Sequence, residues 1–187
     1  MKNIAILASG TGTNAAKIMD HFIGNPEVFV SLVASNKETA GVLDEAVERG
    51  VPTAVFTNDQ LNDEEFMLNM LRGIDLIVLA GFMRKVPTFL LEEFEDRIVN
   101  IHPALLPKFG GKGMYGKKVH EAVIEAGEKE SGITIHLVNE EYDEGKILFQ
   151  ESVPVKQTDT PESLAMRVQK LEHEHFPKII QKLVRSL

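Results

Sequence analysis

Short apolar runs alternate along this chain with stretches in which apolar residues recur every three or four positions. A run that is apolar throughout suits a strand buried on both faces, whereas the wider spacing suits a helix with one face turned inward. Residues 3–8, 28–34, 53–56, 76–80 and 98–102 read as strands. Between them, residues 14–23, 40–49, 63–71 and 87–94 carry helical spacing, with Ile18 above Phe22 and Val42 above Ala46. Strands alternating with helices predict an α/β fold: an open, mostly parallel sheet with helices on both faces. The pattern changes after Gly116. A helix over 117–126 leads into two strands, 132–138 and 147–153, close enough in sequence to pair antiparallel. Thr160 is the expected N-cap of a closing helix with Pro161 at its first position. Leu164, Val168, Leu171 and Ile179 give that helix an inward stripe, and Pro177 is expected to kink it.

The chain has 187 residues, 43% of them hydrophobic, which suits one well-packed domain. Its halves divide near residue 100, at the end of the fifth strand. A net charge of −8 argues against nucleic acid as a partner. The absence of cysteine removes disulfides, thiolate nucleophiles and thiolate metal sites together. No apolar stretch approaches the about 20 residues needed to span a bilayer, and the first residues lack a cleavage signal. The expectation is a cytoplasmic protein with no membrane partner.

Three segments carry candidate chemistry. Ser9-Gly10-Thr11-Gly12-Thr13-Asn14 follows a strand and opens a helix, where backbone amides and the helix dipole favour a phosphate. With Ala15 it also fits a dinucleotide fingerprint, but the second strand ends Ala34-Ser35-Asn36, without the acidic residue that would hold a ribose. The second segment is Asn100-Ile101-His102-Pro103, at the carboxyl end of a strand. Alternation points Asn100 and His102 the same way, so an amide and an imidazole can together stabilise an oxygen that gains charge. They serve equally well as a polar strand end that satisfies loop backbone. The third is Asp143, within Glu140-Glu141-Tyr142-Asp143-Glu144-Gly145. A carboxylate there can orient the histidine and take a proton, yet an acidic turn is also an ordinary solvated feature. Composition alone does not separate Asp143 from its neighbours.

These runs resemble the signature segments of the glycinamide ribonucleotide formyltransferase family, in the same order. The similarity extends through Asn100-Ile101-His102-Pro103-Ala104-Leu105-Leu106-Pro107, Leu79-Ala80-Gly81-Phe82-Met83-Arg84, Gly111-Lys112-Gly113-Met114-Tyr115-Gly116, Gly132 to Leu137 and Glu172-His173. It implies a Rossmann-like formyltransferase fold. It also implies direct formyl transfer from 10-formyltetrahydrofolate, as co-substrate, to the amine of glycinamide ribonucleotide, without a covalent intermediate or a metal. By resemblance Asn100 and His102 stabilise the oxyanion, and Asp143 holds the arrangement and helps move the amine proton. Gly12, Thr13 and Asn14 bind the phosphate and Glu172 contacts the ribose. The folate contacts fall on Met83, Arg84, Val86, Asn100, Val138, Asn139, Glu140, Glu141, Tyr142 and Asp143. Thr13 stands where many relatives have serine, which keeps a hydroxyl. The partners implied are two small molecules, with the chain a monomer or a homodimer.

The short tail and the direct start at the first strand speak against transfer to methionyl-tRNA and against a deformylase with a regulatory segment. A formyltetrahydrofolate hydrolase, a formyltransferase with another acceptor, and a non-catalytic phosphosugar-binding module remain the alternatives. His120 counts as supporting only. His173 and His175, two apart on a helix, point in different directions and make no zinc pair. His21 and His136 have no evident companions in the sequence.

Overall fold

The computed structural model describes all 187 residues. Its strands are β1 (Lys2–Leu7), β2 (Val28–Ser35), β3 (Thr53–Val55), β4 (Leu76–Leu79), β5 (Ile98–His102), β6 (Glu130–Leu137) and β7 (Ile147–Pro154). The helices are α1 (Thr13–Phe22), α2 (Gly41–Glu48), α3 (Asn58–Leu61), α4 (Glu64–Met70), α5 (Thr88–Glu93), α6 (Lys117–Glu125) and α7 (Pro161–Arg185). The strands form one seven-stranded mixed sheet in the order β3-β2-β1-β4-β5-β6-β7. Two compact units divide the chain, one of Met1–Val99 with Ile180–Leu187, the other of Asn100–Ile179.

In the first unit β1 lies between β2 and β4 and pairs parallel with both, from Lys2 opposite Val28 and from Ile4 opposite Leu76. Ile4, Ala5, Ile6, Leu7 and Ala8 are all buried. A strand covered on both faces has no reason to alternate, which is why this segment reads as a continuous apolar run. Ala15, Ile18, Met19 and Phe22 form the buried face of α1, and Val42 and Ala46 that of α2. The chain leaves β1 toward β2 and β3 on one side and returns to β4 on the other. Strand order therefore reverses between β1 and β4, and in open α/β sheets ligands bind at the carboxyl ends beside such a reversal.

In the second unit β6 pairs antiparallel with β7, with Glu130 opposite Pro154 and Ile135 opposite Phe149. Gly132 is obligatory there, because a Cβ would come 2.0 Å from the Glu151 carbonyl oxygen. α7 begins as expected: Ser163 N–H donates to Thr160 Oγ1, and Thr160 N–H donates to Ser163 Oγ. Its 25 residues run uninterrupted through Pro177. The one element not anticipated is the single turn α3. Thr57 caps it reciprocally with Gln60, a Thr-x-x-Gln signature that was present in the sequence but preceded no apolar stripe.

Candidate active site

The glycine-rich turn lies at the carboxyl end of β1. Gly12 is the N-cap of α1 at φ 85°, a left-handed conformation that suits glycine. Gly12 is held closely: a Cβ would meet the Val42 Cα at 2.6 Å. Val42 N–H donates to the Gly10 carbonyl, which ties the start of α2 to the same turn. Thr13 is exposed and Asn14 half-buried. Ser9 adds a clip between strand ends. Its hydroxyl donates to Asn36 Oδ1 at 2.6 Å and accepts from Met83 N–H at 2.9 Å. The ends of β1, β2 and β4 are thereby fastened together, with Met83 and Arg84 exposed beside them and Val86 buried.

In the second unit Asp143 faces His102, and Asn100 reaches the same carboxylate by way of His136. His102 is buried, with Nδ1 3.5 Å from Asp143 Oδ2 and Nε2 2.7 Å from the Phe109 carbonyl oxygen. A carbonyl can only accept, so Nε2 carries the hydrogen and Nδ1 of the neutral ring faces the carboxylate. Asp143 also accepts from Gly111 N–H at 3.0 Å. Both Phe109 and Asp143 hold positive φ, 56° and 59°, a conformation costing a non-glycine residue about 1–3 kcal/mol. Gly110 fits between them because a Cβ there would meet Leu106 Cδ2 at 2.5 Å and Asp143 Cβ at 3.2 Å.

Thr134 fixes the turn after His102. Its hydroxyl donates to the Ala104 carbonyl at 2.7 Å and accepts from Leu106 N–H, while Gln150 Nε2 donates both to it and to the Leu106 carbonyl. A fourth side chain joins the cluster. His136, set aside in the sequence for want of companions, lies 3.1 Å from Asn100 Nδ2 through Nε2 and 3.5 Å from Asp143 Oδ1. In the sequence Thr134 and His136 stand as polar residues inside the apolar run Ile133 to Leu137. Asn139 to Tyr142 are exposed and Val138 half-buried beside Asp143; Glu172 is half-buried on α7. No group of three or more histidine, aspartate or glutamate side chains is placed to hold a metal ion.

Burial pulls the His102 pKa below its ordinary value, and the Asp143 charge offsets only part of this. Burial, with His102 nearby, also lowers that of His120 on α6, whose Nδ1 has no hydrogen-bond partner. For Asp143 burial acts upward, but the polar groups around the carboxyl, the Gly111 N–H among them, outweigh it and hold it below its usual range. The two histidine shifts have one sign for stability. Below about pH 6.5 the unfolded chain takes up protons that the folded chain resists, so stability is complete above that pH and is lost as pH falls toward the folded values. Wild-type protein should therefore lose Tm between about pH 7 and 5 more steeply than a His120→Leu variant. The comparison cancels the general titration of the carboxylates, and parallel Tm curves for the two proteins would contradict a neutral buried His120.

A sequence model of the formyl transferase family matches residues 2–180. The chain is 44% identical over 188 residues to a chloroplastic phosphoribosylglycinamide formyltransferase of Arabidopsis thaliana, covering 96% of this chain and 64% of that protein. It thus spans just under two thirds of the plant relative's length. To the phosphoribosylglycinamide formyltransferase of Haemophilus influenzae it is 37% identical over 188 residues, covering 97% of this chain and 86% of that protein. Among solved structures, the phosphoribosylglycinamide formyltransferase of Anaplasma phagocytophilum superimposes with a TM-score of 0.90 at 36% identity. The match covers 99% of this chain and 88% of that one.

Proposed function

Because the chain belongs to the formyl transferase family, we propose that it transfers the formyl group of 10-formyltetrahydrofolate to the amine of glycinamide ribonucleotide, a step of purine synthesis. The observation that carries this reading is the cluster of Asn100, His102 and Asp143, buried or half-buried behind one strand end and one acidic loop. The amine nitrogen attacks the formyl carbon, and the carbonyl electron pair moves onto oxygen. Asn100 and His102 supply N–H donors to that oxygen. His102 Nε2–H rests on the neutral Phe109 carbonyl, and an oxyanion competes well for it because charge-assisted hydrogen bonds are about twice as strong as neutral ones. Collapse restores the carbonyl and breaks the bond to N10 of the folate. The proton lost by the attacking nitrogen passes to N10, with the ionised Asp143 as its carrier, directly or through water. Products are the formamide and tetrahydrofolate, with no change of oxidation state.

Gly12, Thr13 and Asn14 take the substrate phosphate on this reading, and Glu172 the ribose. Met83, Arg84, Val86, Asn100 and Val138 to Asp143 supply folate contacts on the same reading. The partners are these two small molecules rather than nucleic acid or a membrane, and no helix is long and apolar enough to cross one. The protein works in the cytoplasm as a monomer or homodimer.

The test is a spectrophotometric assay of the folate product, with glycinamide ribonucleotide present, absent, and replaced by water as the only acceptor. Turnover that requires the ribonucleotide supports the reading; formate release without it indicates a hydrolase, and silence in every arm defeats the enzyme assignment. The phosphate site has its own test. Gly12→Ala should raise the ribonucleotide KM by roughly tenfold or more, a loss of about 1.4 kcal/mol. Tm should fall with it, since the new Cβ meets backbone at a positive φ. A folded variant with an unchanged KM would remove the phosphate from this turn.

A further inference from the structure

The ring of His136 is 2% exposed and makes two contacts that constrain each other. Nδ1 lies 2.8 Å from the Leu137 carbonyl oxygen. That acceptor requires a hydrogen on Nδ1, and in the neutral ring Nε2 is then bare. The bare nitrogen faces Asn100 Nδ2 at 3.1 Å, a donor that suits it, and Asp143 Oδ1 at 3.5 Å, an acceptor that does not. Turning the Asn100 amide over would set its Oδ1 against the lone pair of a ring that is almost fully buried, two acceptors facing each other. Leaving such groups unpaired costs about 1–3 kcal/mol. One amide orientation is therefore selected. Of the two Asn100 N–H bonds one is spent on His136, and the other has a fixed direction.

We propose that His136 is a positioning residue for the formyl transfer: anchored through Leu137, its bare Nε2 orients the Asn100 amide so that a single N–H is presented to the oxygen that gains charge. The inference rests on the function proposed above. It differs from a filler role because the effect must pass through Asn100.

Two variants separate the possibilities. His136→Asn keeps a donor near the Nδ1 position but has nothing at Nε2, while His136→Gln returns an acceptor oxygen near Nε2. His136→Asn should lower kcat by about 10²-fold, the scale of losing one oxyanion donor, with the ribonucleotide and folate KM values near wild type. His136→Gln should recover at least about a tenth of wild-type kcat. In an Asn100→Ala background His136→Asn should cost nothing further, because the residue it acts through is gone. A penalty of equal size with and without Asn100, a change in KM alone, or a folded Gln variant as slow as the Asn variant would overturn the role. Nitrogen NMR of the labelled histidines gives a reading independent of activity, with Nδ1 protonated and Nε2 bare as the expected result. The opposite tautomer sinks the proposal even in an active enzyme. Wild-type protein that transfers no formyl group would instead defeat the functional reading, while the same spectrum still reports the tautomer on which the Asn100 orientation depends.

Discussion

Replacing His102 by alanine is expected to lower kcat by about 10²- to 10⁴-fold while leaving the ribonucleotide KM close to wild type. The ring contributes a directed N–H, now on the Phe109 carbonyl, and a second nitrogen facing the Asp143 carboxylate. On the proposed reaction the N–H gains most when charge develops on the reacting oxygen, so its loss should fall on the transition state rather than on substrate binding. Asp143→Asn should act in the same sense, because an amide cannot carry the amine proton and no longer holds a charge against the imidazole. The double variant should be little slower than the worse single one, since the two residues work as a unit. Steady-state kinetics with both substrates varied gives the answer. Near-normal turnover in either variant would remove these residues from the chemistry, and a rise in KM with kcat unchanged would reassign them to binding.

The fold was largely legible because its central strands are covered on both faces and its helices on one, two patterns that differ plainly in a sequence. Ile4 to Ala8 and Leu76 to Leu79 are buried along their whole length, so no polar residue blurs those runs. The short α3 was missed because a single turn has no stripe, only its cap. The candidate site was legible where residues share one strand. Asn100 and His102 sit two apart, and alternation brings them to one side. Asp143 was indistinct among its acidic neighbours. What sets it apart is a positive φ, the Gly111 N–H and the approach of two histidines, none of which has a local signature. His136 was passed over for the same reason. Its companions stand 36 residues earlier and seven later in the chain, and only the pairing of β6 with the rest of the second unit makes them neighbours.

Polar groups within an apolar strand thus bear a different reading once their bonds are known. Thr134 has three hydrogen-bonding contacts to the turn after His102 and to Gln150, and His136 has contacts on both ring nitrogens. A hydroxyl or imidazole buried without partners would cost stability, so their presence in the run Ile133 to Leu137 signals a fixed polar network. The network joins the turn that carries His102 to the loop that carries Asp143. Its geometry depends on how closely that loop returns to β6, and one glycine sets the distance.

Gly145→Ala is expected to be the most damaging small substitution in the protein. A Cβ at this position would lie 1.7 Å from the Leu137 carbonyl oxygen and 2.7 Å from its carbon, both backbone atoms that no rotamer change can clear. The loop would have to move outward at the point where Leu137 N–H donates to the Lys146 carbonyl. Asp143 is two residues away and would shift from His102 and Gly111. The Leu137 carbonyl is also the acceptor that fixes the His136 ring, so the Asn100 amide loses its guide in the same displacement. Overpacking usually costs 1–3 kcal/mol, and a backbone collision belongs at the upper end, about 3 kcal/mol. For a chain of this size that corresponds to a Tm lower by about 6–12 °C. Gly10→Ala is the matched control for stability, since a Cβ there has nothing within 4 Å. Turnover of the Gly145 variant, measured well below its Tm, should fall as far as that of Asp143→Asn. A variant that melts with wild type would show that the loop yields without strain. One that melts early yet turns over normally would show that Asp143 keeps its place by its own hydrogen bonds, not by the close return of the chain at Gly145.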